Sequence, residues 1–403
     1  MDYTRSQGLP KKQIQKKGII KPSAPGPRLK KGPVDVPFVI ILLVLLVIGI
    51  IMMFSAGYAW AIEEDLPGNY YFVRQLRFAL FGLFLAFIAS HVDYHIFYNK
   101  YVIAGISIVT LLLLILCLAG PFASPHNESY RWVKFGPLEF QPSEVAKFAV
   151  VVTFSALFTK FADKLDKFGL TVIPCVFILG IIAALLMQES HLSATIIIGL
   201  IGAVIMFVGG TKLKYYIPIA IAGVLGLAGF LVYSYKVTDS YFGDRIHAWL
   251  NPFDPELAEK LTWQITQSLI AIGSGGWFGL GLGNSRQKFL YLPESKNDFV
   301  FAILCEELGF FGALVVIAIF MFFIVRGFHI AAHAPDKFGM LMAVGLTAQI
   351  GIQALLNIAV VTNTIPNTGI SLPFFSYGGT ALVMQLVQMG IILNISRQSI
   401  IDS

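Results

Sequence analysis

Charge is scarce in this chain: Asp, Glu, Lys and Arg make up only 13% of the 403 residues, against 56% hydrophobic positions. That is too little solvating surface for a water-soluble fold, which leaves the bilayer as the solvent. Cysteine is rarer still. Cys117, Cys175 and Cys305 lie in apolar segments with no CxxC spacing, which excludes a disulfide framework and a zinc site and leaves them as packing residues. The seven histidines are scattered without metal-ligand spacing. Strict apolar–polar alternation is missing as well, which argues against a closed β-barrel. No cleavable signal peptide is evident, because the first apolar run begins near Phe38 and no small-residue cleavage pattern follows it.

What is present is a series of continuous apolar runs, each close to the ~20 residues a helix needs to cross ~30 Å of hydrocarbon. Spans are expected at Phe38–Ala56, Phe78–Ser90, Val102–Leu118, Val145–Phe158, Gly169–Met187, Leu192–Val208, Ile217–Tyr233, Phe299–Val325, Met340–Val361 and Thr380–Ile395. The expected fold class is therefore all-α: a polytopic membrane protein of about ten transmembrane helices, with a long extracytoplasmic loop, 234–297, between the seventh and eighth. The net charge of +6 is concentrated in the first residues. Residues 1–36 read as a disordered basic cytoplasmic tail, 37–397 as the membrane domain and 398–403 as a cytoplasmic C-terminal tail. An even number of spans puts both termini on one side. With the basic tail inside, Lys160, Lys164, Lys167, Lys212, Lys214, Arg326 and Lys337 all fall in the cytoplasm, as the positive-inside rule requires.

The long outer loop carries Trp249, Trp263, Trp277, Phe253, Phe289 and Tyr291 among polar groups, and Leu261–Ile272 can form an amphipathic helix at the interface. Function is therefore expected on the outer face. Ionisable groups at membrane depth are costly, so each is a functional candidate. At the start of the fourth span, Pro142 suits a first helical turn, and Glu144 and Lys147, three apart, share a face. They form either a structural ion pair or a site that sets Lys147 opposite a substrate phosphate. Asp298 stands where the long loop meets the eighth span. It is either a helix cap or a half-desolvated general base. Glu306 and Glu307 lie some ~12 Å deeper along the helix, too far to act with it as one acid/base pair. The glycine clusters at Gly273–Gly283 and Gly378–Gly379 match no nucleotide-binding fingerprint and read as tight turns or close packing.

Five segments carry a family resemblance: RWVKFGPLEFQPSEVAKF (131–148), HLSATIIIG (191–199), WQITQSLIAIGSGGWFGLGLG (263–283), YLPESKNDFVFAILCEELG (291–309) and TGISLPFFSYGG (368–379). In this order, over about Phe38 to Arg397, they resemble the bacterial SEDS (shape, elongation, division and sporulation) family. The stretch Gly283–Glu294 is more similar to the division and sporulation branch than to the elongation branch. The chain departs from the family pattern at Glu189 and Ser190, where many relatives carry a proline, and at Thr380, where serine is common.

The resemblance implies an inverting glycosyltransferase that polymerises lipid II, the undecaprenyl-pyrophosphate-linked disaccharide peptide, outside the bacterial cytoplasmic membrane. Asp298 then matches the family's essential aspartate, deprotonating the acceptor's 4-hydroxyl. Lys147, Arg245, Arg286 and Lys288 are candidate cations for the pyrophosphate leaving group, and a divalent cation, Mg or Mn, could share that task. Trp132, Glu144, Glu294 and Ser376 would line the cavity. The resemblance also implies a class B penicillin-binding protein as transpeptidase partner, among other divisome or elongasome membrane proteins. The small residues Gly309, Gly312, Ala313, Gly345, Ala348 and Gly351 offer either a docking surface for the partner's helix or close packing within the chain. Rival readings are a lipid II flippase and a scaffold that only recruits a transpeptidase. A flippase needs polar groups spread along its depth, whereas here they are expected to gather toward the outer mouth.

Overall fold

The computed structural model describes residues 32–118, 123–126, 129–135, 138–165, 167–236, 241–254 and 262–398. Most of the expected basic tail and of the C-terminal tail lies outside the described residues. Among the described residues twelve α-helices follow in chain order: α1 (Val36–Glu63), α2 (Tyr70–His91), α3 (Lys100–Leu118), α4 (Pro142–Lys160), α5 (Phe168–Gln188), α6 (Leu192–Gly209), α7 (Leu213–Lys236), α8 (Tyr241–Leu250), α9 (Trp263–Ser274), α10 (Val300–Ala332), α11 (Lys337–Val361) and α12 (Gly379–Gln398). Among the described residues nine of these, α1 to α6 and α10 to α12, are long and apolar enough to cross a membrane, and α7 holds a shorter apolar stretch, Leu213–Gly226, at the seventh expected place. Every expected span overlaps one helix. The chain is a multi-pass membrane protein.

Local chemistry explains where several helices begin. Asp35 caps α1, its side chain accepting from the Phe38 amide at 3.0 Å, and Pro37 occupies the first turn. Arg326 of α10 pairs with the same carboxylate at 2.7 Å. Asp336 caps α11 by accepting from the Gly339 amide at 2.9 Å. The two ends of the described bundle meet: the Gly32 amide donates to the Arg397 carbonyl at 2.7 Å and the Asp35 amide to Ser396 Oγ at 3.3 Å.

Packing divides the helices into an inner and an outer set. α4 and α11 are mostly enclosed, whereas α2, α3 and α5 turn apolar faces such as Phe84, Phe87, Leu112 and Phe177 outward. α11 packs against α4, α6, α10 and α12, and α2 runs along α12. Because lipid is as apolar as leucine, such contacts depend on small residues and buried hydrogen bonds. Gly345 is buried against Ile205 and Val151, and Gly351 lies against Ile324. These two glycines pack within the bundle, the second of the two readings left open by the sequence.

Two features depart from an all-helical reading. Between α3 and α4 stands a small antiparallel sheet in the order β1 (Ala123–His126), β2 (Ser129–Phe135), β3 (Leu138–Phe140), which the sequence reading did not name. The alternation in SYRWVKF, with aromatic and β-branched residues, suits a pleated strand, and Val133 on it is fully buried.

The second is a break in α10 at Gly309, with φ 69° and ψ −171°, a conformation open essentially to glycine alone. The groups freed by the break are satisfied by the glycine-rich loop after α9. The Glu306 and Glu307 carbonyls accept from the Leu280 and Gly281 amides, both at 3.0 Å, and the Phe310 and Phe311 amides donate to the Gly276 and Trp277 carbonyls at 2.9 and 3.1 Å. Irregular backbone is tolerated in a membrane protein where protein buries it in this way. A Cβ on Gly309 would come within 2.2 Å of the Gly279 amide nitrogen.

Candidate functional site

A polar cavity of about 130 Å³ opens where β2, the start of α4, the α5–α6 turn, the segment ahead of α10, and the α11–α12 connection converge. Asp298, Trp132, Glu144 and Lys147 all line it, joined by Arg131, His191, Asn297, Gln353 and Tyr377. Four residues singled out from sequence are thus brought together from three parts of the chain, β2, α4 and the segment ahead of α10.

The Asp298 carboxyl is pushed up from its ordinary 3.8 to about 6, first by burial and then by neighbouring Glu294, with Arg131 and Arg245 opposing. It does not cap α10, whose first turn has no side-chain cap. Its backbone is held by Asn357 of α11, whose Nδ2 donates to the Asp298 carbonyl at 2.7 Å and to the Ile370 carbonyl at 2.5 Å. Gly369, at φ 68°, faces the carboxylate: a Cβ there would lie 3.1 Å from Asp298 Oδ2 and 3.8 Å from Arg131 Nη1. A Cβ there would crowd the carboxylate, whereas its distance to Arg131 is an ordinary contact.

Lys147 and Glu144 pair at 2.7 Å on the buried first turns of α4, as their three-residue spacing led one to expect. Lys147 Nζ also donates to Gln353 Oε1 at 2.9 Å, and Gln353 Nε2 donates to the Ser371 carbonyl at 3.0 Å. The second Glu144 oxygen and His191 Nδ1 are buried without a hydrogen-bond partner. His191 is held neutral, its pKa driven well below 6.5 by burial and by the charges of Arg131 and Lys147. Beside it, burial pushes the Glu189 carboxyl up to about 8 against the pull of Arg131.

The remaining sequence candidates stand elsewhere. Ser376 supports the site: its Oγ donates to the Asn297 carbonyl at 2.7 Å and accepts from the Leu372 amide at 2.7 Å. Glu294, at φ 55°, accepts from Asn297 Nδ2 at 2.5 Å. Arg245 of α8 donates from Nη1 to the Asn367 carbonyl at 2.7 Å, at the edge of an adjoining cavity. Arg286 enters through its amide, which donates to Glu306 Oε1 at 3.0 Å.

Lys288 belongs to a separate buried cluster. Its Nζ donates to Ser55 Oγ at 2.9 Å and to Glu307 Oε1 at 3.2 Å. Glu306 accepts from the amides of Arg286 and Gln287 and from the Ser285 hydroxyl. The cluster fastens the loop ahead of Asp298 onto α10 and α1, so Lys288 does not line the polar cavity. A further clasp holds the segment ahead of Asp298: Lys296 Nζ donates to Glu64 Oε1 at 2.9 Å and to the Tyr71 hydroxyl at 2.7 Å.

Sequence reasoning gave no role to Arg131, Asn297, Gln353 and Asn357. Arg131 stood inside a quoted motif without a role, and the amides at 353 and 357 carried the signal of two polar residues four apart on an otherwise apolar helix. Buried amides also reach deeper, with Gln349 Nε2 donating to Gln388 Oε1 at 2.9 Å. Polar groups are therefore not confined to the outer mouth, although these deeper ones bond to one another. Among the described residues no group of three or more His, Cys, Asp or Glu side chains could hold a metal ion, and Glu144, which lines the cavity with Asp298, is already paired with Lys147. The donor set does not fit a preformed divalent-cation site.

A carboxylate of raised pKa set beside arginine and lysine in a polar cavity is an arrangement that can take up and release a proton. The sequence family described as "Cell cycle protein" (FtsW/RodA/SpoVE) matches residues 36–400, and the chain belongs to it. It is 38% identical to Stage V sporulation protein E of Bacillus subtilis (strain 168), over 92% of this chain and 99% of that one. It is 34% identical to a probable peptidoglycan glycosyltransferase FtsW of Geobacter sp. (strain M18), over 90% and 97% of the two chains. Among solved structures, a chain of a peptidoglycan synthase complex that coordinates polymerization and crosslinking superposes with TM-score 0.73 at 22% identity, covering 90% of this chain and 98% of that one. The rod shape determining protein RodA of Thermus thermophilus gives TM-score 0.65 at 23% identity, covering 92% and 98%. At those identities the likeness establishes the fold.

Proposed function

We propose that this chain is an inverting peptidoglycan glycosyltransferase that joins lipid II units into glycan strands at the outer face of the bacterial cytoplasmic membrane, with both termini in the cytoplasm. The observation that carries the reading is the convergence of Asp298, Arg131, Glu144 and Lys147 on one cavity, in a chain whose relatives bear the name peptidoglycan glycosyltransferase. Asp298, with a pKa of about 6, is ionised near neutrality and still basic enough to accept a proton. Its carboxylate takes the proton of the acceptor's 4-hydroxyl. The oxygen attacks the anomeric carbon of the lipid-linked donor, the new glycosidic bond forms, and the bond to the diphosphate breaks with inversion. The leaving group gathers negative charge, for which Arg131, Lys147 and Arg245 supply preorganised cations.

Glu144 and Gln353 hold the Lys147 ammonium in place, and Asn357 and Ser376 fix the backbone on either side of Asp298. Trp132 offers an apolar wall for a sugar face. The similarity to the division and sporulation relatives favours a role in septal or spore wall synthesis over elongation, and the match to a synthase complex supports a class B penicillin-binding protein as partner. The test is polymerisation of purified lipid II by the purified protein with and without that partner. Glycan chains should appear, and their absence from the full complex would remove the assignment. Movement of intact lipid II between leaflets without polymer would favour the flippase reading instead.

A further inference from the structure

A second cavity, of about 300 Å³, adjoins the polar one. We propose that it is a slot for the polyprenyl chain of a lipid diphosphate, with the Arg245 guanidinium at its polar end. Its walls are Leu192 and Ile196 of α6, Leu356 of α11, Ile246 of α8, and Ile365 and Ile370 of the α11–α12 connection. The volume falls at the lower edge of the ~300–1,000 Å³ typical of small-ligand sites, and the lining is apolar with few polar groups, as such sites are. Those polar groups lie together on α8 and the connection. Arg245 Nη1 is held by the Asn367 carbonyl at 2.7 Å, and the hydroxyl oxygen of Thr368 is buried with no hydrogen-bond partner.

Three observations single out the occupant. The two cavities share a wall: Ile370 lines both, and successive residues of α6 divide between them, Leu192 and Ile196 on one side, Ser193, Ala194 and Ile197 on the other. The Arg245 charge acts on Asp298, so an anion held by Arg245 stands next to the reacting centre while its chain runs between α6 and α11. Leu355, beside Leu356, is 67% exposed, which sets the slot against the lipid-facing surface of α11. The slot takes its ligand class from the glycosyltransferase reading: that reaction joins two lipid-linked molecules, and a polar cavity of about 130 Å³ has no room for either chain.

The experiment is photolabelling of the full chain, in vesicles of phosphatidylethanolamine and phosphatidylglycerol, by a polyprenyl diphosphate with a diazirine on its chain, followed by peptide mapping. Label is expected on 192–196 and at 356, falling about tenfold in Ile196→Trp and in Leu356→Trp, where the indole fills the slot. Excess unlabelled polyprenyl diphosphate should compete and excess phosphatidylglycerol should not. Label spread over the outward faces of α2, α3 and α5 and indifferent to both substitutions overturns the slot. So does equal competition by phosphatidylglycerol, which would make it a site for bilayer lipid. The readout is binding, so a chain that labels as expected yet makes no glycan even in complex with its partner would sink the glycosyltransferase reading and leave the slot standing.

Discussion

Replacing Gly369 by alanine tests how tightly the Asp298 carboxylate must be placed. Gly369 sits at φ 68°, and the added methyl would lie 3.1 Å from Asp298 Oδ2. The left-handed conformation costs a residue with a Cβ roughly 1–2 kcal/mol, which should appear as a lower melting temperature of the detergent-solubilised protein. The contact itself asks the carboxylate to retreat by a few tenths of an ångström. A full 1 Å misplacement of a reacting group can cost ~10²-fold in rate, so a shift of this size should lower kcat by roughly three- to tenfold. Turnover of fluorescent lipid II into glycan by Gly369→Ala, beside the wild type, measures it. Gly369→Val should lose more of both rate and stability. Wild-type turnover in the alanine variant at normal yields of folded protein would refute the claim that this glycine keeps the carboxylate in register.

Other consequences follow from the same geometry. Because Asp298 acts as a base, only its ionised form is active, and since its pKa is raised from 3.8 to about 6, the polymerisation rate should climb as pH rises through about 6 and level off above. A rate already flat between pH 4.5 and 7 would contradict that placement. Lys288→Met leaves Glu307 fully buried without its cation, a loss of about 3–5 kcal/mol that thermal melts should show and that Glu307→Gln on top should partly restore. Gly309→Ala drives a Cβ into the Gly279 backbone and should abolish folded protein in a size-exclusion assay. Reporter fusions at Lys164 and Lys337 should read cytoplasmic and those within 241–254 extracytoplasmic.

The spans were legible because each needs only a long apolar run, although α1, α2 and α10 continue past their expected ends to Glu63, Tyr70 and Ala332. The Glu144–Lys147 pair was legible for a similarly local reason, since helical spacing alone brings the two side chains together. Arg131 was not: it reaches the cavity from a strand within an otherwise helical protein, and its signal was a short alternation easily read as loop. The break at Gly309 hides in a run, Val300–Ala332, whose hydropathy is that of one continuous helix. Its cause is a glycine loop thirty residues earlier. Lys288 stood near the right segment, yet its charge is spent on Ser55 and Glu307, partners that sequence spacing cannot name. Gly345 shows the same limit, because a small-residue stripe fits an outer face and an inner one equally well.

The central claim is that Asp298 is the base that activates the acceptor. Its most direct test is the yield of glycan from purified lipid II by wild type and by Asp298→Asn, with folding checked by size exclusion and lipid II binding measured alongside. Loss of a general base lowers rate by ~10²- to 10⁴-fold, so the asparagine variant should bind lipid II yet make almost no polymer. Near-normal glycan from a folded Asp298→Asn protein would contradict the account.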